Sequence, residues 1–199
     1  MVVTESSSVR SRIIDATLHL VGTDGIAGVT NRRIASRAQV SLGSITYHFP
    51  TQEDLLRAAL THFAREETPR LREIADSYRG KEISVQDAAT LTEQVAESLA
   101  FSAERIAPFE LYVQAGRDPN LRAAADECWR AYDALTFTIL TELGIPRAET
   151  LTPTLVATIA GLQLRRLSTG GGSDLAGAVL LLLRQSGTPG HRDPDPGTG

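Results

Sequence analysis

The sequence predicts an all-α fold, with short helices near the N-terminus and longer ones after them. Nearly every segment spaces its apolar residues with the period of an α-helix. No stretch of useful length alternates apolar and polar residues, as a half-buried strand would. Hydroxyl or acidic residues precede many of the helical segments and glycines follow several of them, which is typical of helix ends.

The elements are predicted from their periodicity and their caps. Helices are expected over residues 8–22, 31–38, 42–48, 52–79, 84–101, 103–116, 119–143, 152–168 and 174–186. Candidate caps are Thr30, Thr51, Thr152 and Ser173, and candidate stops are Gly25, Gly144 and residues 170–172. Pro69 is expected to kink or break the fourth helix. Residues 187–199 contain no apolar side chain and are predicted to be a disordered tail.

Composition limits the class of protein. The chain has 199 residues, of which 42% are apolar, so it can bury a sizeable core. Its net charge is -4, but residues 1–50 carry five basic side chains against three acidic ones. The remaining residues carry 15 basic and 21 acidic side chains. Nucleic acid is therefore a reasonable partner for the first fifty residues and a poor one for the rest.

Cysteine content and hydropathy indicate where the protein works. Cys128 is the only cysteine, so no internal disulfide can form and a reducing compartment is the simpler interpretation. The N-terminus lacks the pattern of a signal peptide. The longest apolar stretch, residues 175–183, is far shorter than the roughly 20 residues of a membrane span. We expect a cytoplasmic protein with no membrane partner.

The short helix at 42–48 carries the strongest functional signal. Two short helices joined by a tight turn and packed on a longer one form a helix-turn-helix, whose second helix fits the major groove of DNA. The outer face here is small and polar, with Ser41, Gly43 and Ser44. A helical glycine costs about 1 kcal/mol relative to alanine, which is explained if the backbone must approach a phosphate closely. The alternative is that Tyr47 and His48 form an interface within a helical bundle and that Gly43 is a tolerated defect.

Residues 13–60 resemble the N-terminal domain of TetR-family transcriptional repressors. The stretch IIDATLHLVGTDGIAGVTNRRIASRAQVSLGSITYHFPTQEDLL follows that family's pattern almost position by position. The resemblance implies phosphate contacts from Thr30, Arg32, Arg33, Tyr47 and His48. It also places Ser41, Leu42, Ser44 and Thr46 nearest the bases, with Gly43 allowing close approach to DNA.

Two positions depart from the family pattern. Gln39 stands where the turn usually has glycine, so we expect some strain there. Gln52 stands where the fourth helix usually begins with lysine. One phosphate contact is therefore missing, and electrostatic binding to DNA should be somewhat weaker.

Aromatic residues in the middle of the chain suggest an effector pocket between helices. The candidate effector-binding residues are His62, Phe63, Glu66, Phe101, Phe109, Tyr112, Trp129 and Tyr132. Plain core packing is the alternative for any one of them. His62 and Glu66 have a spacing that could bind metal, but with no third ligand nearby a solvent-exposed pair is expected. We predict no metal, no cofactor and, since no catalytic motif stands out, no enzyme.

The last two helices are apolar over more than one face, which indicates burial on two sides. The predicted dimer-interface residues are Leu155, Ile159, Leu162, Leu175, Val179 and Leu182. The family resemblance implies the same arrangement, in which each chain contributes two C-terminal helices to a four-helix bundle.

These observations combine into one prediction of organisation and function. A three-helix DNA-binding domain with a helix-turn-helix, residues 1–50, should precede a larger helical ligand-binding and dimerisation domain, residues 51–186. We predict a homodimeric repressor that a small-molecule effector releases from a double-stranded DNA operator. The alternatives are a helical small-molecule enzyme or binding protein, and a regulator that has no effector.

Overall fold

The computed structural model describes residues 8–98, 103–170 and 174–186, and this part of the chain contains helices and no strand. The all-α prediction is confirmed. The α-helices are α1 (Val9–Asp24), α2 (Asn31–Ala38), α3 (Leu42–His48), α4 (Gln52–Tyr78), α5 (Val85–Ser98), α6 (Ala103–Ala115), α7 (Pro119–Glu142), α8 (Ala148–Thr169) and α9 (Leu175–Ser186). A 3-10 turn, Ile26–Gly28, connects α1 to α2.

The first of two apolar cores lies under the N-terminal helices. Ile13 and Val21 of α1, Ile34 of α2 and Ile45 of α3 are fully buried in it. The same core includes Leu111 of α6, and α7 also contributes residues to it. The N-terminal helices are therefore not a separate packing unit, because later parts of the chain complete their core.

The second core lies between the C-terminal helices and the far half of α4. Leu71 of α4, Leu140 of α7, Leu155 of α8 and Val179 of α9 are buried there. Both α4 and α7 contribute to both cores, and these two helices pack closely along their lengths. A displacement of either helix would consequently alter the packing in both cores.

Of the kink or break predicted at Pro69, the break is wrong, since α4 is one helix of 27 residues that continues through the proline. Proline removes one backbone N–H and frees the carbonyl of Arg65 four residues earlier. Both Pro69 and Arg65 are exposed, so water can satisfy that carbonyl. Burial of Leu71 and Ala75 beyond the proline holds the second half of the helix against its neighbours.

The predicted start of α8 is also wrong. The helix begins at Ala148, after Arg147 in a left-handed conformation (φ 61°), rather than after Thr152. Thr152 is buried inside the helix, and its hydroxyl donates a hydrogen bond to the Ala148 carbonyl at 2.9 Å. Pro153 is accommodated within the helix near its N-terminus.

Other predicted helix ends are confirmed. Thr30 and Thr51 cap α2 and α4, each accepting a hydrogen bond from the backbone N–H three residues on. Asp174 caps α9 by accepting from the Gly177 N–H at 2.7 Å. The predicted cap Ser173 and the predicted tail at 187–199 lie outside the described residues. In the described ranges no helix is long and apolar enough to cross a membrane.

Candidate DNA-binding face and effector cavity

Helix α3 presents its polar face to solvent. Ile45 and Phe49 anchor it to the first core, and they are 1% and 5% exposed. On the opposite side Tyr47 is 83% exposed, and Leu42, Gly43 and Thr46 are exposed as well. Of the other predicted DNA contacts on this helix, Ser44 and His48 are half-buried.

The hydroxyl groups of this face bond to one another in the absence of DNA. Ser41 caps α3 by accepting from the Ser44 N–H at 3.1 Å, and the two hydroxyl oxygens are 2.8 Å apart. Thr46 donates to the Gly43 carbonyl at 3.2 Å. The rings of Tyr47 and His48 meet edge to face with centroids 5.1 Å apart. Each hydroxyl keeps an acceptor lone pair beyond these local bonds, so it can still accept a hydrogen bond from a DNA base.

The turn before α3 has the strain expected from its sequence. Gln39 adopts a left-handed conformation, with φ 53° and ψ 52°, which favours glycine. Its neighbour Val40 donates a hydrogen bond to the Ala35 carbonyl at 3.0 Å, which closes the turn. Gln52 has a structural contact, because its side-chain amide donates to the Val29 carbonyl at 3.3 Å.

The first two arginines of α2, Arg32 and Arg33, have different surroundings. Arg33 donates to the Asp24 carboxylate at 2.7 Å and to the Gly28 carbonyl at 3.1 Å. The Thr23 hydroxyl and the Arg33 guanidinium together lower the pKa of Asp24. Both arginines are exposed, and Arg33 closes the connection between α1 and α2. Thr30, predicted to face a phosphate, is exposed and serves as the cap of α2.

An apolar cavity of about 120 Å³ lies among α4 to α9. Five predicted effector residues line it: Phe63, Phe109, Tyr112, Trp129 and Tyr132. The rings of Phe109 and Tyr112 are 6.4 Å apart, those of Tyr112 and Trp129 5.0 Å, and those of Trp129 and Tyr132 6.3 Å. These four residues form a continuous aromatic row along one wall.

Buried polar groups stand behind the aromatic row. The Tyr132 hydroxyl donates to the Glu67 carboxylate at 3.0 Å, and Arg70 binds the same carboxylate through two nitrogens at 2.6 and 2.9 Å. Burial and the neighbouring Glu67 raise the pKa of Tyr132 well above its ordinary value. The hydroxyl of Tyr112 is buried beside Cys128, a weak hydrogen-bonding partner, and has no strong partner among the described residues.

Two predicted effector residues, His62 and Glu66, do not line this cavity. His62 and Glu66 lie along a surface groove between α1 and α4, outside the cavity lining. The His62 Nε2 atom is 3.3 Å from a Glu66 carboxylate oxygen and 3.5 Å from one of Asp15. In the described part of the chain no group of His, Cys, Asp or Glu is arranged as a metal site. Phe101 lies outside the described residues.

The predicted dimer-interface residues fall into two groups. Leu155, Leu175 and Val179 are at most 4% exposed, so they belong to the core of the single chain. Ile159, Leu162 and Leu182 are half-buried. The most exposed leucines of α8 and α9 are instead Leu164, at 55%, and Leu181, at 58%.

Sequence reasoning missed several residues of the cavity. Its polar lining comes from Thr92, Thr136 and the buried Gln163, and Pro108 adds an apolar edge. Thr92 and Thr136 share helix faces with apolar cavity residues, which is a signal that the sequence contains. Nothing in the sequence indicates that Glu67 would lie behind Tyr132, which is 65 residues away.

A helix-turn-helix with an exposed polar second helix defines a DNA-binding transcriptional regulator. Comparison with known proteins gives the family. A family model described as bacterial regulatory proteins, tetR family, matches residues 13–59, and one described as tetracyclin repressor-like, C-terminal domain, matches residues 84–187. The chain belongs to the TetR family of bacterial transcriptional regulators, and its C-terminal part is the effector-binding domain of that family.

Individual relatives match over most of the chain. The HTH-type transcriptional regulator BetI of Burkholderia thailandensis is 30% identical over 182 residues, which cover 86% of this chain and 88% of BetI. The multidrug binding protein EbrR, solved with ethidium, is 33% identical with a TM-score of 0.71, covering 91% of this chain and 100% of EbrR. A TetR-family member from Streptomyces coelicolor A3 is 33% identical with a TM-score of 0.72, covering 92% and 100%.

Proposed function

We propose that the chain is a cytoplasmic repressor that binds a near-palindromic operator as a homodimer. A neutral, flat aromatic molecule entering the cavity releases it. The observation that carries the effector class is the row formed by Phe109, Tyr112, Trp129 and Tyr132. Aromatic rings prefer offset or edge contacts at centroid distances of about 4.5–7 Å, and this row offers such contacts to a flat guest.

The charge of the lining supports a neutral effector. Among the described residues, no Asp, Glu, Lys, Arg or His side chain lines the cavity. Moving an unpaired charge into such a site costs far more than moving a neutral group. Glu67, the nearest candidate partner for a cation, is already bound by Arg70 and Tyr132. EbrR has been solved with ethidium, proflavin, malachite green and imidazole, so aromatic guests are known for a similar fold. Ethidium and malachite green are cations, and the preference for a neutral guest rests on the uncharged lining of this cavity alone.

A few polar groups can orient the guest. The Tyr112 hydroxyl is buried without a strong partner, and one hydrogen-bonding atom on the effector would satisfy it. Thr92, Thr136 and Gln163 add further polar atoms to the lining. We therefore expect a ligand that is mainly apolar and carries one or two hydrogen-bonding groups, as is common in such pockets.

The cavity is small, so binding of an effector would change the arrangement of the helices around it. Ligand pockets are commonly about 300–1,000 Å³, while this cavity measures about 120 Å³. A tricyclic guest must therefore move the surrounding helices apart. A ligand changes operator affinity only if it binds one arrangement of those helices better than the other, and a coupling of roughly 1–3 kcal/mol would be ordinary.

The DNA-binding half of the proposal rests on α2 and α3. The residues proposed for DNA contact are Thr30, Arg32, Ser41, Leu42, Gly43, Ser44, Thr46, Tyr47 and His48, with Arg33 acting through the turn. A two-fold dimer presents two copies of α3, so half-sites should be about one helical turn apart or a little more. For the dimer contact we propose the outer faces of α8 and α9, with Leu164 and Leu181 at the centre and Ile159, Leu162 and Leu182 beside them.

The test uses the single tryptophan of the chain, which lines the cavity. Phenanthridine is the neutral probe and N-methylphenanthridinium is its cationic counterpart. We expect phenanthridine to quench Trp129 fluorescence at a concentration at least tenfold lower than the cation requires. It should also weaken binding to a duplex selected from random DNA by roughly 5–150-fold.

Two variants on one helix make the test specific. Thr136→Phe fills the cavity and should abolish quenching, whereas Thr138→Phe, outside the cavity lining, should leave it unchanged. Equal affinity for the neutral and cationic probes would contradict the effector class. Failure of the protein to prefer any duplex over random DNA would contradict the repressor assignment itself.

A further inference from the structure

We propose that Glu110 of α6 is a positioning residue that transmits occupancy of the cavity to the DNA-binding helices. It does so through one hydrogen bond, from the backbone N–H of Ile26 to the Glu110 carboxylate, 3.0 Å long. The inference rests on the proposed release by an effector, and it assigns a specific contact to that release.

The contact joins two parts of the chain that are 84 residues apart. Ile26 is the first residue of the 3-10 turn between α1 and α2, and the preceding Gly25 has no side chain to cap that turn. Glu110 supplies the missing cap from another helix. A Cβ atom built on Gly25 would lie 3.2 Å from a Glu110 carboxylate oxygen, so the carboxylate fits closely against the glycine backbone.

Helix α6 reaches the cavity with the residues next to Glu110. Phe109 and Tyr112 line the cavity, while Leu111 is fully buried in the core shared with α1. These positions lie within one turn of α6, so a guest that pushes the backbone at Phe109 and Tyr112 outward displaces Glu110 with it. The hydrogen bond to Ile26 then lengthens or breaks.

The turn passes the displacement on to the DNA-binding helices. Arg33 of α2 is bonded to the Gly28 carbonyl, at the end of the same turn, and to Asp24 at the end of α1. Movement of Ile26 therefore changes the position of α2 relative to α1. Helix α3 packs on α2 and moves with it. While the cavity is empty, the turn keeps the geometry in which α2 and α3 fit the operator. When a guest fills the cavity, the turn leaves that geometry and operator affinity falls.

Apolar packing between α1 and α6 could carry the same motion without Glu110, and a set of variants separates the two routes. Glu110→Ala removes the acceptor, and Glu110→Gln keeps an acceptor oxygen. Asp118→Ala is the matched control, since Asp118 also binds a backbone N–H, that of Asn120 at 2.9 Å, but at the start of α7 and not in the turn between α1 and α2. Each protein is titrated with the selected duplex, with and without phenanthridine.

In Glu110→Ala we expect the phenanthridine effect on duplex affinity to fall to about threefold or less, from the 5–150-fold expected of the wild type. Quenching of Trp129 in the absence of DNA should stay within twofold of the wild type. Glu110→Gln should keep most of the effect, and Asp118→Ala all of it. A role in stability alone would lower the melting temperature and leave the ratio of the two duplex affinities unchanged, which would overturn the proposal.

Hydrogen exchange at the Ile26 amide tests the contact without DNA. Exchange should be slow in the wild type, faster with phenanthridine bound, and fast in Glu110→Ala under both conditions. Phenanthridine could bind without changing the affinity for the duplex and still speed exchange at Ile26. That result would contradict release by an effector but support the coupling between the cavity and the turn. If phenanthridine does not bind, Thr136→Phe serves as the occupied state. Equal exchange at Ile26 in the wild type and Glu110→Ala overturns the inference in either case.

Discussion

The guanidinium of Arg33 lies 2.7 Å from the carboxylate of Asp24, and this ion pair joins the end of α1 to the start of α2. The resemblance to TetR-family repressors suggests a phosphate contact for Arg33 and for its neighbour Arg32. The structure gives Arg33 an internal partner. The two arginines should therefore respond differently to substitution.

Arg32→Ala should weaken binding to all duplexes alike and lower the slope of log affinity against log salt by about 1, because one phosphate contact is lost. Arg33→Ala should instead lower the melting temperature and change the salt slope little. Asp24→Ala is the control, because it removes the other side of the same pair. If Arg33→Ala lowers the salt slope as Arg32→Ala does while Asp24→Ala does not, Arg33 binds DNA directly.

Gly43→Ala should stabilise the free protein and weaken its binding to DNA. A Cβ atom at Gly43 would meet only the Ser41 hydroxyl, at 3.8 Å, so α3 gains up to about 1 kcal/mol of helix propensity without a clash. On DNA the same methyl group would hold the helix away from the groove. Thermal melting and duplex titration check the two effects, and a variant that binds DNA as tightly as the wild type would remove Gly43 from the interface.

Leu181→Glu should convert the dimer to a monomer. Leu181 is 58% exposed on α9, and a dimer that covers it would bury two facing carboxylates, at a cost of roughly 3–5 kcal/mol. Sedimentation velocity measures the change, and operator affinity should fall with it. Val113→Glu also replaces an exposed apolar residue by glutamate, on α6 at a position 62% exposed, and should remain dimeric. A dimeric Leu181→Glu would place the interface elsewhere.

Cys128 should resist alkylation in the folded protein. It is completely buried, and burial raises the pKa of its thiol to about 11. Since the thiolate is the reactive form, iodoacetamide at pH 8 should label the native chain far more slowly than the chain in guanidinium chloride. Mass spectrometry follows the labelling. Fast labelling of the native protein would mean that α7 opens readily.

The same thiol should make stability fall in alkali. In the unfolded chain the thiol loses its proton near its ordinary pKa of 9.0, and in the fold only near 11. The folded state therefore binds the proton more tightly, and its stability is complete below pH 9 and declines between pH 9 and 11. Burial of Tyr112 and Tyr132 raises the pKa of both hydroxyls and extends the decline. Cys128→Ala should show a shallower loss of melting temperature over that window.

Local signals in the sequence were sufficient for the helix-turn-helix. Thr30 and Thr51 stand three residues before the amides that they cap, and apolar residues such as Ile34 and Ile45 fall on one side of their short helices. These interactions span a single helical turn, so they can be predicted from residues that are close together in the sequence. The strained conformation of Gln39 was also foreseeable, because it stands at a turn that prefers glycine.

The errors arose where distant packing decides the outcome. Pro69 and Pro153 remain inside helices because residues such as Leu71 and Leu155 bury themselves in the second core. His62 and Phe63 are adjacent in sequence, but a helix turns by about 100° per residue, so only Phe63 reaches the cavity. In α9, which is apolar on several faces, periodicity cannot distinguish the side that packs on the same chain from a side available to a partner.

The shared first core has a consequence for the order of folding during synthesis. Its last layers come from Leu111, Leu121 and Ala125, which leave the ribosome well after α1 to α4 have emerged. Domains generally fold as units once their chain is complete, and contacts between distant residues form late. A nascent chain that has exposed only its DNA-binding helices therefore keeps an open apolar face. Its first core is complete only when α6 and the start of α7 have been added, and these two helices also line the cavity.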